Sequence, residues 1–249
     1  MKYGICHLGV IPLRAEKSHK SELISQILYG ETFKVIEERK DWLKVRIHWD
    51  GYEGWVVKRQ VTLIEKETYT SINDKAFIPS PHLIDYLQTD KDQLFPIPLG
   101  SDLRGLSVLN HQRDEVACPN QKDREALIKT AFQYLNTPYL WGGKTPMGID
   151  CSGLTQMVYK IHGIPLKRDA YLQAEQGNTL SFIEESEPGD LAFFDNQEGN
   201  IIHVGILLKH HYILHAHHEV RIDRIDQTGI YNVERQEHSH KLRLIKSIL

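Results

Sequence analysis

Cysteine is scarce in this chain, with only Cys6, Cys118 and Cys151 among 249 residues, an odd number and no Cys-x-x-Cys spacing. That scarcity argues against a disulfide framework or a cysteine zinc site and fits a reducing compartment. An excess of either charge is also missing, since 30 Lys+Arg stand against 33 Asp+Glu. No broad field exists to attract nucleic acid or anionic lipid, so neither is an expected partner. Long hydrophobic runs are absent too: the longest, Ile201 to Leu208, is interrupted by His203 and is far too short to cross a bilayer. The first residues lack a basic cluster followed by an apolar stretch and a small-residue cleavage site, so no signal peptide is read and a cytoplasmic protein is expected. What the chain does have is 41% hydrophobic residues, enough for one to three cores.

The first 64 residues read as short strands. Leu43, Val45, Ile47 and Trp49 alternate with Lys44, Arg46 and His48, the period of a half-buried strand. Asp50-Gly51 then predicts a tight turn, with Tyr52 to Val57 as the returning strand. Gly30-Glu31 leads into a further strand at Thr32–Ile36, and the region reads as a small, bent β-barrel. Leu13-Arg14, the Gly30-Glu31 turn, Trp42-x-x-Val45 and Gly54-Trp55-Val56 carry a resemblance to bacterial SH3-like domains, which are often attached to cell-wall enzymes. Four of the ten prolines fall in 65–118 between short apolar runs. Fifty residues of bare linker would be unusual, so this stretch is read as a degenerate second SH3-like barrel or a structured linker. The domain plan is therefore a barrel over 1–64, that segment over 65–118, and a catalytic domain over 119–249.

From Asn120 the pattern turns helical. Asn120 can cap, Asp123 and Glu125 suit the first turn, and Leu127, Ala131, Phe132 and Leu135 recur at helical spacing until Pro138. After the glycine-rich stretch Gly142 to Gly148, residues Cys151 to His162 read as a second helix burying Leu154, Val158 and Ile161. Leu191–Asp195, Ile201–Leu208, Tyr212–Ala216 and Glu219–Ile222 follow as antiparallel strands, so the class is α+β.

Cys151 sits where loop becomes helix, and the positive helix end is expected to lower its thiol pKa toward a reactive thiolate. Cys6, in an apolar strand, and Cys118 are expected to be packing residues. A hairpin around Lys209-His210-His211 places His203 opposite residue 215, 216 or 217, with His203, His215 and His217 on one face. Nucleophile, base and orienting group can then assemble, with His215 and His217 unresolved on register. The same histidines, with His217 or His218 as the third ligand, could instead hold zinc, but no carboxylate ligand motif accompanies them. The remaining histidines, His162 and His240 among them, are read as surface or loop residues without a role.

Tyr139-Leu-Trp-Gly-Gly143, Gly148-Ile-Asp-Cys-Ser-Gly-Leu154, Pro188-Gly-Asp-Leu191 with Phe194, His203-Val-Gly-Ile206 and His215-Ala216 follow one another in the order of the NlpC-type cell-wall peptidases. The resemblance spans about residues 120–225 and implies a papain-like α+β catalytic domain needing no cofactor. It implies Cys151 as nucleophile, His203 as general base and His215, rather than His217, as the orienting residue. The implied reaction is hydrolysis of an amide next to D-glutamate in peptidoglycan stem peptides. Tyr139 and the Cys151 N–H are the expected oxyanion donors, Asp150 the partner of a free peptide amine, and Ser152 a donor to a carboxylate. A preceding SH3-like barrel resembles the branch that cuts γ-D-glutamyl–diamino-acid bonds behind a free N-terminal L-alanine in wall-peptide recycling. Glu16 and Tyr52 are the barrel residues expected to meet that amine. One departure is Ala170, which follows Arg168-Asp169 where many relatives carry a carboxylate-holding serine. The competing reading is a non-catalytic protein that binds cell-wall muropeptides.

Overall fold

Seven antiparallel strands come from the first 64 residues: β1 (Lys2–Cys6), β2 (Val10–Arg14), β3 (Leu23–Leu28), β4 (Thr32–Glu38), β5 (Trp42–Ile47), β6 (Glu53–Val57) and β7 (Val61–Ile64). This computed structural model describes residues 1–113, 123–233 and 235–249. The strands run in the order β3-β2-β6-β5-β4-β1-β7, and their inward side chains, among them Cys6, Ile11, Leu13, Phe33, Leu43, Val45 and Val56, make one core. The expected hairpin is present with a longer loop: β5 ends at Ile47, and the Ile47 N–H donates to the Tyr52 carbonyl. Gly51 takes φ +74°, which a side chain would resist, and the Asp50 carboxylate accepts from the Tyr52 N–H at 2.9 Å. Trp49 therefore leaves the alternation and packs on Phe77, ring centroids 5.0 Å apart.

The described residues between 65 and 113 do not form a second barrel. They give α1 (Lys66–Asn73) and one antiparallel pair, β8 (Ile84–Gln88) with β9 (Leu94–Pro98). Pro96 and Pro98 lie within β9 and have no N–H to offer a further strand. A two-stranded hairpin cannot enclose a core by itself. Leu87, Ile97 and Leu103 instead close on Tyr29 of the first barrel, so the first compact unit runs Met1–Asn120 rather than ending at residue 64.

The second unit, Gln121–Leu249, starts with α2 (Arg124–Gln133). Its cap is Asp123, whose carboxylate accepts from the Ala126 N–H at 2.7 Å; Asn120 and Cys118 lie outside the described residues. Leu127 and Ala131 are buried, but Phe132 and Leu135 are exposed and do not join the core. A short hairpin, β10 (Lys144–Thr145) and β11 (Gly148–Ile149), leads into α3 (Cys151–Ile161), every residue of which is buried. After α4 (Ala170–Gln173) come β12 (Asn178–Leu180), β13 (Leu191–Asp195), β14 (Ile201–Leu208), β15 (Tyr212–His217), β16 (Glu219–Ile225), β17 (Gly229–Asn232) and β18 (Glu237–Ser247). The last two strands were not foreseen, and they matter because β17 pairs with β18 while β18 pairs with β13. Strands β13 to β18 thereby close into a six-stranded barrel with β12 added at the edge of β18. Ala192, Phe194, Leu207, Ile213, Ile225, Ile230 and Ile245 fill its interior, and α3 packs across the outside of β14 and β15.

Candidate active site

Cys151 is the first residue of α3, and Asp150 is the cap. The Asp150 carboxylate accepts from the Gly153 N–H at 2.6 Å, the Gly142 N–H at 2.7 Å, and two Arg168 guanidinium nitrogens at 3.0 and 2.6 Å. Ser152 donates to it at 3.3 Å and accepts from Arg168 at 2.9 Å. A carboxylate has about four lone-pair sites, and these donors fill them. Asp150 therefore clamps the 139–149 loop to the helix start in the free protein. It reaches a peptide amine only by sharing an acceptor already in use, and Ser152 is tied down in the same way.

The candidate base, His203, lies on β14 of the neighbouring barrel. With Gly205 paired to His215, the β14–β15 register sets residue 217, not 215, across from His203. The contact nonetheless runs diagonally: His203 Nε2 and His215 Nδ1 are 2.8 Å apart, and His215 Nε2 is 3.0 Å from Asp223 Oδ2. Gly205 makes room for this, because a Cβ there would lie 2.9 Å from the His215 Cβ. Asp223 is in turn held by Arg221, with Nη2 3.0 Å from Oδ1.

Hydrogen-bond roles follow from the far end of this chain. An ionised Asp223 can only accept, so His215 Nε2 carries a proton. Neutral His215 then offers a bare Nδ1, which accepts from His203 Nε2–H. The nitrogen of His203 left with a lone pair is Nδ1, the atom free to take a thiol proton. The Cys151 sulfur is within hydrogen-bond reach of the backbone N–H groups of Ser152 and of Val204, the residue that follows His203 in the chain.

Burial governs the titration of the site. It pushes the Cys151 thiol up to about 12, the Asp150 charge adds to this, and the Val204 and Ser152 N–H groups oppose it. The low-pKa thiolate expected from the helix start is thus not the resting form, because desolvation of the sulfur outweighs the helix end. Burial also holds His203 well below the usual histidine range, with neighbouring His215, His240 and His217 acting in the same direction. Burial lowers His215, with Asp223 opposing. Both shifts favour the uncharged thiol and the uncharged imidazole. Tyr139, next to Cys151, has its phenol pushed up, first by burial and then by its acidic neighbours Cys151 and Asp150, so it keeps a proton to donate.

The structure brings Cys151, His203, His215, Asp150, Ser152 and Tyr139 together in the second unit. Glu16 and Tyr52 lie in the first: Glu16 is exposed in the turn after β2, and Tyr52 is half-buried against the barrel core. Cys6 is a core residue, its thiol donating to the Leu8 carbonyl at 3.2 Å. Zinc at the histidines does not fit, because His203 and His215 bond each other directly; among the described residues no group of three or more His, Cys, Asp or Glu side chains is placed to hold a metal ion. Two histidines read as surface residues are not on the surface: His162 is buried and bonded to Thr130 at 2.9 Å, and His240 is half-buried on His203. The sequence assigns no site role to Asp223, Arg168 or His240. Arg168 meets Asp150 across 18 residues and His240 meets His203 from a separate strand, so no local spacing marks them; Asp223 is only eight residues from His215 on the next strand, where hairpin spacing could have found it. A groove of about 680 Å³ lined by Ile128, Phe132, Leu208, Tyr212 and Ile222 contains none of these groups.

Comparison with known proteins finds relatives over most of the chain. The NlpC/P60 family model matches residues 136–237, and the bacterial dipeptidyl-peptidase Sh3 domain matches residues 13–61. A dipeptidyl-peptidase 6 from Lysinibacillus sphaericus is 30% identical over 247 aligned residues, covering 86% of this chain and 89% of the relative. A gamma-D-glutamyl-L-lysine dipeptidyl-peptidase from Bacillus subtilis strain 168 is 30% identical, covering 77% and 71%. Among solved structures, an NlpC/P60 family protein from Bacillus cereus ATCC 10987 superposes with TM-score 0.81 over 99% of both chains at 20% identity. An NlpC/P60 endopeptidase from Photobacterium damselae subsp. piscicida gives 0.67 over 97% of this chain and 70% of its own at 16% identity.

Proposed function

The chain belongs to the NlpC/P60 family of peptidases and carries a bacterial SH3-like domain ahead of its α+β catalytic domain, and from that premise we propose how it acts and on what. Cys151 is the nucleophile, His203 the general base, and His215, backed by Asp223, the orienting group. The observation that carries this reading is the unbroken chain His203–His215–Asp223 beside the thiol. It leaves His203 Nδ1 as a neutral base, so proton transfer from Cys151 accompanies attack on the amide carbon instead of preceding it. The developing oxyanion is met by the Cys151 N–H and the Tyr139 hydroxyl. An acyl-enzyme forms, His203 returns the proton to the leaving amine, and water releases the acid.

The substrate on this reading is the amide between γ-D-glutamate and a diamino acid in peptidoglycan stem peptides with a free N-terminal L-alanine. Relatives named for γ-D-glutamyl-L-lysine dipeptidyl-peptidase activity support it. Glu16 and Tyr52 are proposed to receive the amine, and Asp150 and Ser152 are proposed as further substrate contacts. The reaction is assigned to cytoplasmic recycling of wall peptides, which would suit a chain with few cysteines. The test is incubation of the full chain with L-Ala-γ-D-Glu-L-Lys and the diaminopimelate tripeptide, each free and N-acetylated. Cleavage of the free peptides, lost in Cys151→Ala and suppressed by acetylation, is expected. Binding without cleavage by the wild type would instead favour the muropeptide-binding reading.

A further inference from the structure

One face of the His203 ring is covered by a residue that the reaction above does not use. His240 lies 4.3 Å from His203, ring centroid to centroid, at an interplanar angle of 28°, a stacked arrangement. It meets His217 edge-on at 4.8 Å and 89°. Phe194 is 5.7 Å from the His203 ring and 6.0 Å from the His240 ring. The base is thus held in its plane by His215 at Nε2 and over its face by His240.

The backbone builds this contact deliberately. Along β18 the register against β13 jumps from Phe193↔Leu244 to Phe194↔Leu242, leaving Arg243 as an extra residue. In an unbroken strand the face shared with Ile245 would hold Arg243 and Lys241. The bulge changes the parity, so that Leu242 and His240 share the interior face with Ile245, Phe194 and His203. A second register shift, from Ile230↔His240 to Tyr231↔His238, leaves Ser239 as a further extra residue directly beside it. Bulges that re-aim a side chain are characteristic of strands next to active sites. Ser239 Oγ, 2.8 Å from His240 Nδ1, fixes the ring from its own strand. Strand β18 also reaches beyond the residues 136–237 that match the family model, so that match does not include His240.

We propose that His240 is a positioning residue for the general base: its imidazole, stacked on His203, holds the base in the plane in which Nδ1 meets the Cys151 thiol and supplies a π-face to the imidazolium formed when the proton arrives. This rests on Cys151 and His203 acting as nucleophile and base. A flat ring is what the role requires, since stacking restrains rotation and a π-face attracts the cation. Orientation effects of this kind are large because small misplacements of a catalytic group are costly.

The experiment uses the full chain as wild type, His240→Ala and His240→Phe, with thermal unfolding to confirm that each is folded. Two rates are measured on each: turnover of the free L-Ala-γ-D-Glu-L-Lys tripeptide, and alkylation of Cys151 by iodoacetamide followed by mass. For His240→Ala, kcat and the alkylation rate are expected to fall together by roughly tenfold or more, with KM changed by less than about twofold. His240→Phe keeps the ring without its nitrogens and is expected to recover most of both rates. Unchanged rates in His240→Ala overturn the proposal, as does a fall in turnover with no change in alkylation, or a Phe variant as slow as Ala. Alkylation reads the cysteine–histidine pair without substrate. A wild type that alkylates but does not cut the tripeptide therefore refutes the substrate reading while His240 is still tested.

Discussion

Four nitrogen donors converge on the Asp150 carboxylate, and the result is a buried charge that depends on one cation. Arg168 is only 1% exposed, so removing it strands that charge. Arg168→Met is expected to lower unfolding stability by about 3–5 kcal/mol in urea titration, and adding Asp150→Asn should recover part of the loss. Asp223→Asn is a milder change: it keeps the shape but permits the wrong His215 tautomer, so kcat should fall about 10–100-fold with KM little altered. The histidines set the pH response. Burial lowers His203, His215, His217 and His240, the last to about 4, while their unfolded values lie near 6.5. Below pH 6.5 the unfolded chain binds more protons than the folded one, so stability is intact above that pH and declines as pH falls toward 4. Urea midpoints at pH 7.5, 6 and 5 check this, and a flat series would contradict it. Because the base is neutral when active and its pKa is lowered, the acid limb of kcat/KM should also lie below pH 6.5.

At the scale of elements, the histidines of the candidate site are legible wherever a strand keeps its period. Leu191–Asp195 and Ile201–Leu208 occur as the alternation predicts, and the β14–β15 hairpin puts His203, His215 and His217 on one face. The period fails in β18. Its inward residues are His240, Leu242 and Ile245, a spacing of two and then three, so the alternation Lys241-Leu242-Arg243-Leu244 marks a strand but does not give the face on which its residues lie. Helix α2 misled in the other direction: the apolar spacing included Phe132 and Leu135, which the structure leaves exposed. Close packing between elements also sets a test at Gly205. A methyl group there would meet Ile213 Cγ1 at 2.8 Å and the His215 Cβ at 2.9 Å. Gly205→Ala should therefore cost about 1–3 kcal/mol in stability and slow turnover by displacing His215.

At the scale of the whole molecule, the chain divides into two units, each with its own core: the SH3-like barrel with its appended hairpin, and the α3-covered barrel that carries the chemistry. A fragment spanning 121–249 is accordingly expected to fold cooperatively and keep a Cys151 that iodoacetamide alkylates at the full-chain rate. If Glu16 and Tyr52 receive the peptide amine, the fragment should lose the preference for free over N-acetylated tripeptide, which a cleavage assay on both peptides measures. The described residues of 65–118, read as a degenerate second barrel or a structured linker, form no second barrel, for a reason visible at this scale. Proline-bearing β9 cannot recruit a third strand, so the hairpin completes its core on Tyr29 instead.

By itself the sequence determined the chemistry and its order along the chain: a cysteine opening a helix, histidines of one parity on paired strands, and glycine-rich loops between them. These are local patterns, set by backbone period and turn geometry within a few residues. The tertiary structure alone decided which groups meet: the diagonal His203–His215 contact, Asp223 behind it, Arg168 against Asp150, and His240 on the base. Each of those joins residues from separate strands or loops, and their distances depend on barrel closure, bulge position and side-chain rotamer. It also decided the charge state of the thiol, because the burial that outweighs the helix end is a property of the packed fold.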